Sequence, residues 1–178
     1  MARKNDLHRK EHPVDSAGLH GFYRVQIQDP DGTIAGDSGW GHNIITNVGL
    51  TDYIMKRFIG ATGSAIVAQI ALGSTTAVAS AFTASTSLPG QIAGSHMVAI
   101  GANTASTSRA ASTGGDTMRV LGTFSSNIFA NSTTIACAGL HSATNGSVFC
   151  MGTFASSTVA TNQAVNLTYD VVFLASTS

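Results

Sequence analysis

The sequence predicts a mainly β protein: an antiparallel β-sandwich or jelly-roll-like domain over residues 21–178, with one short helix near 48–59 and an extended basic N-terminal arm over residues 1–20. Three observations carry this. The closing segment alternates strictly, with Val165, Leu167, Tyr169, Val171 and Phe173 set between Asn166, Thr168, Asp170 and Val172, which is the period of a strand with two unlike faces. Short apolar runs bounded by turn residues recur through the second half of the chain. Only one stretch has helical spacing.

The elements follow in chain order. Residues 1–20, MARKNDLHRKEHPVDSAGLH, are charged, contain Pro13 and show no period, as expected of an extended arm. Over residues 3–12, Arg3, Lys4, Arg9 and Lys10 outnumber Asp6 and Glu11, so the arm suits a tether docking on an acidic neighbour or nucleic acid and a solvated tail equally. Next, Tyr23, Val25 and Ile27 alternate with Arg24, Gln26 and Gln28. Asp29-Pro30-Asp31-Gly32 then turns the chain, since proline presets φ and glycine tolerates a left-handed residue. A second strand completes a hairpin that ends at Trp40, and Asn43-Ile44-Ile45-Thr46 forms a short apolar strand before the helix.

The helix is expected over 48–59. Leu50, Ile54 and Phe58 share one face with Tyr53 beside them, which predicts that this face covers one end of a sheet. Thr46 or Asn47 should cap its start, Lys56 and Arg57 suit its final turn, and Gly60 should stop it. Asn43 and Asn47 bracket the turn into it, so the stretch from Trp40 to Leu50 reads as a structural hinge, with Trp40 a core or interface anchor. Beyond Gly60, IVAQIALGSTT, MRVLGTFSSNIFA, STTIACAGL, SVFCMGTFAS and AVNLTYDVVFLA each read as strands, and the Ala/Ser/Thr-rich stretches 76–96 and 101–116 read as long loops that bind a neighbour.

Composition narrows function. With 178 residues, nine basic and nine acidic side chains, the chain has zero formal net charge and is only 10 % charged, against about a quarter in an ordinary domain. After Arg57 only Arg109, Asp116, Arg119 and Asp170 are charged. Surfaces this poor in charge favour association, which predicts a chain built into an assembly. The basic start lacks the apolar stretch of a secretory signal and no apolar run is long enough to span a membrane, so synthesis in a cytosol is expected. The Asn-x-Ser/Thr triplets at Asn131, Asn145 and Asn166 are then products of a Ser/Thr-rich composition.

Chemistry-bearing patterns are sparse. His8, His12, His20, His42, His96 and His141 are scattered, without HExxH or helical pairing to a carboxylate, so metal ligation is not expected. No Gly-x-Ser-x-Gly elbow marks a nucleophile, GATGSA lacks the lysine and frame of a phosphate loop, and Asp29, Asp31 and Gly32 lack the rest of a calcium loop. Cys137 and Cys150 flank a candidate Asn145-Gly146 hairpin. A disulfide between them is geometrically conceivable, but two small buried thiols in a reducing compartment is the better reading.

The order of motifs nevertheless resembles a broad group of tailed-bacteriophage virion proteins. A strand pair ending in an aromatic, then NIITNVGLTDYI, then IALGSTTA leading to a Thr-rich loop that ends at Leu88, then IACAGLHSA and a closing alternating strand match that group over residues 22–174. Such proteins often carry an acidic residue shortly before the late Gly-Leu, where this chain has Cys137-Ala138. The resemblance implies a non-enzymatic β-rich subunit. It would be a head decoration or cement protein contacting the major capsid protein or neighbouring virion proteins; the alternative is a tail fibre, collar or tail-tip module binding other tail proteins or a host-surface glycan. The expected assembly is a homo-oligomer, a trimer favoured, in the virion. No cofactor, metal, membrane or nucleic-acid partner is expected, and contacts are assigned to Arg3, Lys4, Arg9, Lys10, Trp40 and Phe82. Trp40, Tyr53 and Phe82 are the aromatic candidates for glycan contact.

Overall fold

The computed structural model describes residues 18–76, 87–92, 97–99, 105–110, 115–129, 131–142 and 147–174. Eleven strands form two antiparallel sheets among them. The first sheet runs β2 (Ile34–Asp37), β1 (Gly18–Gln28), β11 (Ala164–Leu174), β8 (Gly115–Phe124) and β7 (Ala105–Ala110), with β3 (Gly41–His42) also paired to β1. The second runs β4 (Ile44–Ile45), β10 (Val148–Val159), β9 (Thr133–His141), β5 (Gln69–Gly73) and β6 (Met97–Ala99).

The alternation read from sequence sets which side chains meet. On β1, Tyr23, Val25 and Ile27 are buried, and on β11 Val165, Leu167, Tyr169 and Val171 are buried. Their register partners line up, Tyr23 opposite Tyr169 and Val25 opposite Leu167. These side chains form one cluster with Val120 and Phe124 of β8 and with Ile70, Leu72, Ile135, Leu140 and Cys150 of the second sheet. Burying each large apolar side chain contributes about 1.5–3 kcal/mol, so the shared cluster is what holds the two sheets together.

Polar groups refine it. Tyr169 of β11 donates its hydroxyl to the Ala138 carbonyl of β9, and Tyr23 of β1 donates to the Thr153 carbonyl of β10. On the opposite side of the first sheet, Thr123 donates to the Asn166 side-chain oxygen at 2.8 Å and the Asn166 amide donates to Gln28 at 3.0 Å. Arg119 and Asp170, register partners on β8 and β11, make two further bonds of 2.7 and 2.6 Å.

Several expectations about local structure need correction. The stretch 101–116, read as a loop, contains β7 and the start of β8; Ala, Ser and Thr carry too little hydrophobic contrast to show a period of two. Gly18, His20 and their neighbours, read as the end of the arm, already belong to β1. The helix is a π-helical segment, Gly49–Met55, closing into an α turn, Lys56–Phe58, and Gly60 ends it at φ 63°. Its expected apolar face is turned inward only in part, with Ile54 packed against the core. Gly49 and Tyr53 are buried, while Leu50 and Phe58 are exposed. The Lys56 N–H bonds the Thr51 carbonyl, five residues back, and that wider winding moves side chains off the 3.6-residue stripe. Thr46, not Asn47, caps the start: its hydroxyl accepts from the Gly49 N–H at 2.7 Å and donates to the Val148 carbonyl at 2.5 Å.

Gly152 makes the Tyr23 contact possible. A Cβ built there would lie 2.0 Å from the Tyr23 ring, in a ring anchored by its own hydroxyl. Gly152→Ala is therefore expected to lower stability by about 1–3 kcal/mol, seen as a fall in denaturant midpoint. Gly122→Ala would meet only the terminal Cδ1 of Ile70, at 2.3 Å, which turns aside more easily; equal losses at the two positions would refute the anchoring role given to Tyr23.

Candidate functional site

Two concave features stand out, and both arise where the shared core reaches the surface. The first is an edge groove of about 270 Å³ between β1, β2 and β10, floored by Tyr23, Val25, Ile27 and Ile135 and walled by Asp37 and Phe154. A bulge shapes it. Thr153 pairs with Cys137 and Ser157 with Ile135, leaving Phe154, Ala155 and Ser156 opposite Ala136 alone. The polar wall is already satisfied within the chain. Asp37 accepts from Arg24 Nε at 3.0 Å and from the terminal guanidinium nitrogen at 2.5 Å, and also from Gln26 at 3.1 Å and the Gly39 N–H at 2.9 Å. The Arg24 hydrogen bonds hold its carboxyl well below the usual carboxylate range. Four donors fill the acceptor sites of a carboxylate, so little is left for a ligand.

The second feature is a groove of about 220 Å³ at the end of the molecule beneath the helix, lined by Ile54, Ile66, Val67, Met118, Phe149 and Phe173, with Arg57 in its wall. Tyr53 fixes the helix above it by donating its hydroxyl to the Ser147 carbonyl and stacking at 5.2 Å on Phe149. The Ala65 N–H bonds the Asp52 carbonyl at 3.0 Å, tying the following segment to the helix. Beside this groove the helix presents Leu50, Met55, Phe58 and Ile59 to water, Phe58 at 86 % and Ile59 at 78 % exposure. Phe173, the last member of the β11 alternation, is 44 % exposed where its strand partners are fully buried. The core stripe thus runs out of cover at this end.

The expected contact residues are distributed differently. Arg3, Lys4, Arg9 and Lys10 lie outside the described residues, as does Phe82. Trp40 is not a core anchor: it stands 51 % exposed between β2 and β3. Tyr53 is buried and hydrogen-bonded, so it offers no open ring for a glycan. Sequence reasoning missed the groove because its walls come from four distant segments, although Phe173 at the end of an alternating strand and the adjacent Phe58-Ile59 were visible signals.

Ion pairs elsewhere among the described residues join Arg24 with Asp37, Lys56 with Asp52 at 2.7 Å, and Arg119 with Asp170. Among the described residues no group of three His, Cys, Asp or Glu side chains is placed to hold a metal ion, and no helix is long and apolar enough to cross a membrane. Comparison with protein-family models, curated proteins and solved structures returns no match.

The cysteines are free and buried. Cys137 is opposite Thr153 and Cys150 opposite Leu140, so the two are not cross-strand partners. Burial pushes the Cys137 thiol up from its ordinary 9.0 to about 12 and raises Cys150 as well. Above pH 9 the unfolded chain therefore loses thiol protons that the native chain keeps, and stability falls as pH rises towards 12. Denaturant midpoints measured between pH 8 and 10 should decline, and replacing both cysteines by alanine should flatten that slope; an unchanged slope would show that the thiols do not contribute. Native protein at pH 8 should resist alkylation at both positions and react fully in denaturant.

Proposed function

We propose that this chain is a non-enzymatic structural subunit of a bacteriophage virion, acting as a decoration or cement protein on the head surface, and that its two sheets pack as a jelly-roll-like β-sandwich. The observation that carries the role is the helix end, where Met55, Phe58 and Ile59 stand exposed on the segment whose Ile54 lines an open groove, on a body with few charges. Exposed apolar surface gathered in one place marks a protein–protein contact. The motif order shared with tailed-bacteriophage virion proteins supplies the setting. In it the body associates as a homo-oligomer, a trimer favoured, and the arm and Thr/Ser-rich loops contact neighbouring capsid subunits, where multivalency strengthens attachment.

Co-sedimentation of the purified chain with heads of the same virus tests this role. Saturable binding is expected, and deletion of residues 1–17, which ends before β1, should weaken it at least about tenfold while the far-ultraviolet spectrum is kept. Heads that bind neither form would overturn the decoration role.

Trp40 favours one second reading, a tail-tip module that recognises a host-surface glycan. Its half-exposed ring follows Ser38, a residue of the edge groove, and an open aromatic face is what a sugar ring stacks on. Glycan-array binding lost in Trp40→Ala with the melting temperature unchanged would move the role from head to tail; an array with no binding would dismiss it.

A further inference from the structure

We infer that the helix end is occupied by a second copy of this chain, with Phe58 and Ile59 of one copy seated in the groove of the next, an inference that rests on the assembly role proposed above. Three features point to a copy of the same chain. First, hole and knob occur on one molecule: the groove of about 220 Å³ lies between Ile54, Ile66 and Phe173, and the same helix projects Phe58 at 86 % exposure. A cavity of about 150 Å³ takes a benzene ring, so the groove has room for the phenyl group.

Second, the area comes near what a stable contact needs. Leu50, Met55, Phe58, Ile59, Ile66 and Phe173 leave on the order of 700 Å² in water, counting about 200 Å² for a fully exposed large side chain. A standard interface covers about 800 Å² per partner. Third, the surface is nearly free of uncompensated charge. Lys56 is bound to Asp52 on the helix, which leaves Arg57 as the cation in the groove wall, at the rim where a partner backbone carbonyl would meet it. A nucleic acid or an acidic partner would find a single cation among the groove's lining residues, whereas two copies of this surface bury mainly apolar area and leave Arg57 to be met by a carbonyl or water.

The competing route to self-association is edge-to-edge pairing along β10, and the fold discourages it. Among the described residues no strand pairs with the outer edge of β10 beyond Met151, but the bulge at Phe154–Ser156 bends it and the Tyr23 hydroxyl occupies the Thr153 carbonyl. Bulged edges pair poorly.

Light scattering of the intact chain across concentration tests the inference. A mass of two or three times 18.2 kDa is expected, and Phe58→Asp should weaken association at least about tenfold. The exposure of Phe58 predicts an unchanged melting temperature of the monomer, which separates lost association from lost folding. For the seating itself, Phe58→Cys protein is mixed with Ile66→Cys protein and oxidised; the native thiols are buried and should stay silent. Cross-links joining position 58 to position 66 of different copies are expected, while links only between like positions would overturn the seating. A monomer at every concentration overturns the inference even if it binds heads. An oligomer that Phe58→Asp dissociates supports it even if heads are ignored, in which case the head role alone fails.

Discussion

The hydroxyls of the three tyrosines set the geometry on which the rest depends. Tyr23 and Tyr169 reach from the first sheet to backbone carbonyls of the second, and Tyr53 reaches from the helix to the carbonyl just before β10. Apolar packing brings two faces of Val, Ile and Leu together without a directional contact between named atoms. A phenol must satisfy its hydroxyl when buried, and each of these has one carbonyl to do so. The cost of leaving it unpaired, about 1–3 kcal/mol, fixes register between elements that the hydrophobic effect merely brings together. Burial holds the Tyr169 hydroxyl well above its ordinary titration range, so that bridge keeps its donor proton under alkaline conditions that ionise a free phenol.

That anchoring explains which parts of the fold were legible. β1 and β11 are readable because they alternate Tyr, Val, Ile and Leu against Gln, Asn and Thr, and the structure buries the expected set. β7 was not, because Ala105–Ala110 reads Ala-Ser-Thr-Ser-Arg-Ala, residues accepted on either face of a sheet. The helix was found in place, with Tyr53 and Ile54 inward as expected but Leu50 and Phe58 outward. A 3.6-residue stripe put Leu50 and Phe58 inward with Tyr53, yet the Tyr53 hydroxyl and the five-residue bond from Lys56 fix a different azimuth. Its outward apolar face follows from that rotation and was invisible to periodicity.

The site was legible only in its ingredients. Low charge, an unusual Phe58-Ile59 pair at the helix end and a final Phe173 beyond the core pattern could each be read from the chain. Their meeting could not, since the groove also needs Met118 from β8 and Phe149 from β10, brought together by strand order. Trp40 shows the converse: a residue whose size suggested burial is held outside by a short β2–β3 connection that has no depth to hide it.

Three surfaces of this domain are less available to partners, each in a different way. The outer face of the first sheet carries hydrogen-bonded ladders, Gln28 to Asn166 to Thr123 and Arg119 to Asp170, whose donors and acceptors are spent on one another. The β10 edge is bent by a bulge. The edge groove has its carboxylate filled by Arg24, Gln26 and Gly39. Among the described residues the large apolar side chains most open to water, Phe58 and Ile59, stand at the helix end, and a weakly charged body offers little repulsion to keep that end solitary. Phe58 left outside at 86 % exposure is what makes that end the proposed place of association.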